Sequence, residues 1–337
     1  MADVTDMAFR QIVVGCGKPD VLYTEFVSCD GLCSSRFLPN QNDLDEKSRI
    51  LDFIVAERIK SGEKGRLKLL KHLGFKDNER PIVAQFFGSK PENFYKCARL
   101  AVELGFDGID INMGCPAGKI VKQESGSGLI LTPELAKEII RETKRGAGNL
   151  PVSVKTRLGY NKIITEEWIS ELIKEKPDAI ILHGRTMKEM SKVPAHWDEI
   201  EKAGMLCHEA GIPIIGNGDV MTYAEGLEKA KRYNLDGIMV GRGIFHNPWF
   251  FSARGGSASG GDSTNKTPQD RINLLKQHIK NFTELWGDDK NFAVMKRFIK
   301  IYINDFRGAK ELRDQLMKSK SAPETLEYLS TAEYTIT

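Results

Sequence analysis

A single thiol stands at the end of an alternating run. In Gly108-Ile109-Asp110-Ile111-Asn112-Met113-Gly114-Cys115-Pro116 the apolar residues Ile109, Ile111 and Met113 alternate with Asp110, Asn112 and Gly114. That is the period of a strand, and Gly114 and Pro116 stop it around Cys115. Glycine tolerates a sharp exit and proline cannot donate to a ladder, so Cys115 is expected in a loop at a strand's carboxyl end. In barrels of alternating strands and helices, that end is where chemistry is done. Other apolar runs close on polar residues too: Gln85 follows Val83-Ala84, Lys155 and Arg157 close Val152–Arg157, and His183-Gly184-Arg185-Thr186 closes the next. Taken singly, Lys155 reads equally well as a rim lysine and His183 as a satisfied core histidine. Four polar strand ends in one register argue for a site.

The last two apolar runs end in Gly216-Asn217-Gly218-Asp219 and Gly241-Arg242-Gly243. Their glycines let backbone amides approach an anion closely, and Arg242 supplies charge. Loops after strands seven and eight are the usual phosphate site of a barrel. A phosphate there, with a ring lying over Gln85, Asn112, Lys155 and His183, fits a flavin mononucleotide.

Positioning such a set requires several strands that end at one edge. Short, continuous apolar runs lie at residues 21–28, 82–88, 108–114, 152–157, 179–183, 214–218 and 237–241, with amphipathic helical stretches at 91–104, 133–145, 166–174, 197–210 and 223–233 between them. Strand–helix alternation of this kind predicts a parallel sheet covered on both sides. Seven strands in about 245 residues suit an α/β fold of the TIM (β/α)8 barrel type that lacks its first strand. Residues 3–10 read as a capped helix start with no strand before it. The chain is therefore expected to be truncated at its N-terminus, with an open seam between 21–28 and 237–241. The connection from Cys29 to Arg80 is long enough to cover one end of the barrel.

Composition narrows the class further. At 337 residues with 41% hydrophobic, the chain can build one large domain and a smaller module. No apolar run approaches the ~20 residues that cross a bilayer, and the start lacks a signal peptide's basic-then-apolar layout, so a soluble cytoplasmic protein is expected. Six cysteines in so long a chain make no disulfide framework, and Cys29-x3-Cys33 has no second Cys/His pair at ligand spacing, so no metal is expected. The expected organisation is a barrel over 1–252, a flexible Gly/Ser-rich linker over 253–267 and a helical domain over 268–337. The formal net charge is +3, and its excess lies in that last part, where residues 290–320 carry nine basic and three acidic side chains. Such a stripe is a candidate polyanion footprint or a solvated helix face.

The ordered motifs resemble the tRNA-dihydrouridine synthase family. They are residues 3–10 (DVTDMAFR), 85–88 (QFFG), 110–116 (DINMGCP), 154–157 (VKTR), 183–186 (HGRT), 216–219 (GNGD) and 241–243 (GRG). The tail matches in Met295-Lys296-Arg297, Tyr302 and Gly308-Ala309-Lys310-Glu311-Leu312-Arg313. The resemblance implies an FMN enzyme, with NADPH or NADH as reductant, that reduces the C5–C6 bond of a uridine in tRNA and needs no obligate protein partner. It implies Cys115 as proton donor. Gln85, Lys155, His183, Asn217, Gly218, Asp219, Gly241 and Arg242 would bind FMN, Asn112 and Arg157 would orient the uracil, and Lys296, Arg297 and Arg313 would bind RNA. The family's strand ending in Ala-Pro-Met has no counterpart here, and the loop at 187–194 departs from the family's Gly-rich form. Ribosomal RNA as substrate stays open, as does an FMN barrel of the dihydroorotate-dehydrogenase kind that acts on a free pyrimidine, although that enzyme would not need the basic tail.

Overall fold

The structure is a computed structural model whose described residues are 4–34, 64–253 and 266–331. They form two compact units: one is built mainly of Val21–Gly241, the other of Asp3–Asp20 and Arg242–Thr337. The linker expected at 253–267 lies almost wholly outside the described residues, as does much of the cover expected between Cys29 and Arg80.

The first unit has a TIM-like α/β fold around one parallel sheet. Its strands are β1 (Leu22–Tyr23), β2 (Val27–Ser28), β3 (Ile82–Phe87), β4 (Gly108–Asn112), β5 (Val152–Arg157), β6 (Ala179–His183), β7 (Ile214–Asn217) and β8 (Gly237–Met239). The order is β1-β3-β4-β5-β6-β7-β8, and β2 also pairs with β3. The run at 21–28 thus makes two short strands instead of one. Thr24 is the cause: its hydroxyl accepts the Gln85 amide proton at 3.0 Å, which a continuous strand would bond through its own backbone. Among the described residues no ladder joins β8 to β1.

Helices cover the sheet where the amphipathic stretches predict them. Pro91–Glu103 and Pro133–Ala147 both start on proline, whose fixed φ suits the first turn and whose missing donor is not needed there. They bury Cys97, Ala98, Ala101, Ile139 and Ile140. The two helices meet so closely at Gly146 that a Cβ would lie 2.4 Å from the Tyr95 carbonyl oxygen. Register then levels the strand ends, pairing Asn112 with Lys155, Arg157 with His183, His183 with Asn217, and Asn217 with Met239.

The second unit is helical, with Pro268–Trp286, Lys296–Tyr302, Ala309–Leu316 and Ala322–Thr331 joined by Met7–Cys16 from the chain start. This unit takes in the first helix as well as the residues from Arg242 onward. Its own residues explain this. Phe9 packs its ring 5.5 Å from His278 and 5.3 Å from Phe298, and Asp6, which caps the helix through the Phe9 amide, also accepts the Trp286 indole proton at 2.8 Å. Ile272, Leu275, Ile279 and Phe282 are buried at the spacing that predicts the long helix.

His278 is buried in this core. Its Nδ1 meets the Tyr302 hydroxyl at 3.0 Å, and its Nε2 has no hydrogen-bond partner among the described residues. Burial pushes its pKa down to about 3. Above the unfolded value near 6.5 neither state holds the proton; as pH falls below it, the unfolded chain is protonated first and stability declines until about pH 3. At pH 4.5 this one group should cost about 2–3 kcal/mol. Urea midpoints for His278→Phe should accordingly fall less between pH 7 and pH 4.5 than those of the unsubstituted chain; equal slopes would show that His278 is already protonated in the fold.

Candidate active site

The level strand ends gather Gln85, Asn112, Lys155, His183 and Asn217 around the loop that carries Cys115. That loop is pinned by side chains from below and beside it. Asn112 Oδ1 accepts the amide protons of Gly114 at 3.2 Å and Cys115 at 2.9 Å. The Cys115 carbonyl in turn accepts from the Ser127 amide and hydroxyl, at 3.1 and 2.9 Å. Gly126 occupies the left-handed region at φ 58°, and a Cβ there would press to 2.9 Å on the Cys115 oxygen. The thiol itself is half-buried. Burial raises its pKa, outweighing the Ala117 amide and the Arg157 and Lys155 cations, so it remains a thiol at neutral pH.

Beneath Asn112 the sheet holds a polar chain. Asp110 is fully buried in β4 and accepts from Ser153 Oγ at 2.6 Å and Gln85 Nε2 at 2.7 Å. Gln85 Oε1 accepts from Asn112 Nδ2 at 3.1 Å. Both ends of the Gln85 and Asn112 amides are therefore used within the protein. Arg157 is likewise occupied: it donates to the carbonyls of Gly114, Thr186 and Met190 at 2.7, 3.2 and 3.1 Å, and so clamps the Cys115 loop to the loop after β6.

Across the mouth, Lys155 Nζ donates to Asn217 Oδ1 at 3.2 Å, and Asn217 Nδ2 donates to the Met239 carbonyl at 2.8 Å. Burial, with the Arg157 cation beside it, pushes the Lys155 ammonium down to about 8. His183 Nε2 lies 3.2 Å from Arg185 Nη1. Arg185 also bonds the Asp219 carboxylate, which accepts the Ala195 amide at 2.9 Å, so Asp219 shapes the loops here. Gly218, at φ 138°, leaves no room for a Cβ against Ala195. Gly241 is the opposite case: among the described residues, its chain neighbours aside, a Cβ would approach nothing nearer than Asn217 Nδ2 at 4.0 Å, which leaves room there for a phosphate or ring. A half-buried cation and an open glycine at the strand ends are groups that fit a flavin with its phosphate. Among the described residues no cluster of His, Cys, Asp and Glu has the form of a metal site.

Arg242 begins the second unit, which also contains the three remaining candidates. Lys296 Nζ donates to the Met317 carbonyl at 2.8 Å, and Arg313 Nη1 donates to that of Ile303 at 2.7 Å. Arg297 lines a cavity of about 440 Å³ with Phe245, His246, Lys300 and Asn304. Sequence reasoning missed Thr24, Asp110, Ser153 and Arg185. Two of them left a signal: Asp110 is a charge inside an otherwise apolar strand, and Arg185 lies within His183-Gly184-Arg185-Thr186.

The model of the dihydrouridine synthase family matches residues 1–336. A probable tRNA-dihydrouridine synthase of Staphylococcus epidermidis is 40% identical, over 99% of this chain and 92% of its own length. One from Staphylococcus aureus is 39% identical over 96% of this chain and 88% of its own. A probable tRNA-dihydrouridine synthase 2 of Bacillus subtilis is 38% identical over 96% and 89%.

The Lys155 ammonium destabilises the fold, because below pH 8 the folded chain must bury a cation that the unfolded chain keeps in water. With a folded pKa near 8 and an unfolded value of 10.5, stability should rise as pH climbs between the two. In flavin-free protein, Lys155→Met should raise the melting temperature by a few degrees at pH 7, a gain that shrinks towards pH 10.5. A lower melting temperature at pH 7 would mean that the bond to Asn217 outweighs the buried charge.

Proposed function

This chain belongs to the dihydrouridine synthase family, and on that premise we propose that it reduces the C5–C6 double bond of a uridine in tRNA, with Cys115 as the acid. The observation that carries the reading is the half-buried thiol on the loop after β4, at the edge where the neighbouring strands end in polar residues; burial raises its pKa. A thiolate would have no proton to give.

Lys155, His183, Asn217, Gly218 and Gly241, with Arg242 next in the chain, would hold FMN over this mouth. The chemistry that FMN, reduced by NADPH or NADH, would supply when bound is a hydride for C6 of the uracil. The proton that C5 would take as it gains carbanion character is the one on Cys115 Sγ, which burial keeps on the thiol at neutral pH. Asn112 and Arg157 would act on the uracil through the loop they hold, since Asn112 Oδ1 and Arg157 Nε are bonded to its backbone. Gln85 would serve as floor, and Asp219 would keep the Arg185 loops in shape.

A uridine inside folded RNA cannot reach such a mouth, so the nucleotide must be unstacked and turned outward. The basic residues between 290 and 320 would hold the RNA backbone while this happens. No helix among the described residues is long and apolar enough to cross a membrane. A cytoplasmic enzyme acting on tRNA is the reading these features support.

Purified protein should carry a flavin spectrum. Cys115→Ala should retain the flavin and its reduction by nicotinamide while dihydrouridine formation, read by nucleoside mass spectrometry, falls at least about 100-fold. Undiminished turnover would leave Cys115 a structural residue. For the RNA contact, Arg297→Ala should weaken tRNA binding regardless of sequence and lower the salt slope of log Kd by roughly one. A slope unchanged by the substitution would remove Arg297 from the footprint.

A further inference from the structure

A carboxylate can only accept hydrogen bonds, and in β4 that restriction has a direction. Asp110 is completely buried, and its two oxygens take the Ser153 hydroxyl proton and the Gln85 amide protons. Gln85 must therefore turn its NH2 down to Asp110 and its oxygen up to Asn112, 3.1 Å away. Asn112 must then point its own NH2 at Gln85 and its oxygen at the backbone amides of Gly114 and Cys115. Reversing either side chain would set oxygen against carboxylate at the lower end, or NH2 against two N–H groups at the upper end. The side chains of Asp110, Gln85 and Asn112 are buried, so water cannot repair a reversed link between them cheaply.

We propose that Asp110 is a positioning residue, whose carboxylate fixes the polarity of the chain Asp110–Gln85–Asn112 and thereby anchors the backbone of Cys115. Its hydrogen bonds go to Ser153 and Gln85, not to the Cys115 thiol. The role extends the reading of Cys115 as proton donor and rests on it only for its catalytic consequence. Lys155 and Ser153 help to keep Asp110 ionised against the burial that raises its pKa to about 6. The chain is thus directed at neutral pH.

An isosteric amide removes the direction without changing the shape. Asparagine at 110 can offer either its oxygen or its NH2 to Gln85, so the lower end no longer opposes a reversed chain; only the Gly114 and Cys115 amides still do, and their acceptor is held less firmly. Moving the carboxylate one step along the chain restores it. Glutamate at 85 accepts from an asparagine at 110 with one oxygen and from Asn112 with the other, and Asn112 again presents its oxygen to the loop.

The test uses the full chain as purified and compares the parent with Asp110→Asn and with the double variant Asp110→Asn, Gln85→Glu. Hydrogen exchange at the Gly114 and Cys115 amides, read by fragmentation mass spectrometry, should be roughly tenfold faster in the single variant and return to within about threefold of the parent in the double one. A role limited to filling space predicts no change on the isosteric swap and further loss in the double variant. Exchange at the parent rate in Asp110→Asn would overturn the proposal. So would a double variant no better than the single one, whether judged by exchange or by failure to fold. Dihydrouridine formation measured alongside separates the two claims: exchange that follows the expected pattern with turnover untouched supports the anchoring chain and removes the acid role from Cys115.

Discussion

A charged carboxylate buried in the middle of a parallel sheet must be satisfied on all sides, and much of this mouth is arranged to satisfy Asp110. Taking an ion out of water is tolerable only where hydrogen bonds replace its hydration. Here Ser153 from β5 and Gln85 from β3 supply them from the two strands flanking β4. The backbone of the same Gln85 meets the break in the first apolar run, where the Thr24 hydroxyl accepts its amide proton and donates to the Glu25 carbonyl.

The remaining polar residues divide by what their atoms can still do. Gln85, Asn112, Arg157 and Asp219 have polar atoms bonded inside the protein, so their contribution is geometry. Lys155 and Gly241 face the mouth, one as a buried ammonium and the other as backbone with space before it. A site built in this way carries a stability cost, since a cation held where burial disfavours it is kept for what it binds. The thiol is treated in the opposite sense. Its neighbouring cations would favour thiolate, and burial overrides them so that a proton remains to be donated.

The helical unit shows a different economy. Its core is aromatic, with Phe9 packed against Phe245, His278 and Phe298, and His278 against Phe298. The first helix of the chain supplies Phe9 and the buried Asp6, so a segment that precedes the strands in sequence folds with the helices that follow them. Of the basic side chains in the expected RNA footprint, Lys296 and Arg313 also bond carbonyls of their own unit, which fixes their stems and directs their charge.

By itself the sequence determined the strand–helix alternation, the helix limits to within a residue or two, the polar strand ends and the loop position of Cys115. These are local properties: a period of 2 or 3.6, a proline at a first turn and a glycine at an exit are written in neighbouring residues. Only the tertiary structure decided the partners. That Asn112 turns its oxygen to the Cys115 amide, that Arg157 spends its donors on three carbonyls, that Asp219 faces Arg185, and that the first helix packs on Pro268–Trp286 all depend on residues distant in the chain. A side chain's type states what it can bond. Which bond it makes is settled by whichever group packing brings within about 3 Å in the absence of water, and no spacing along the sequence records that.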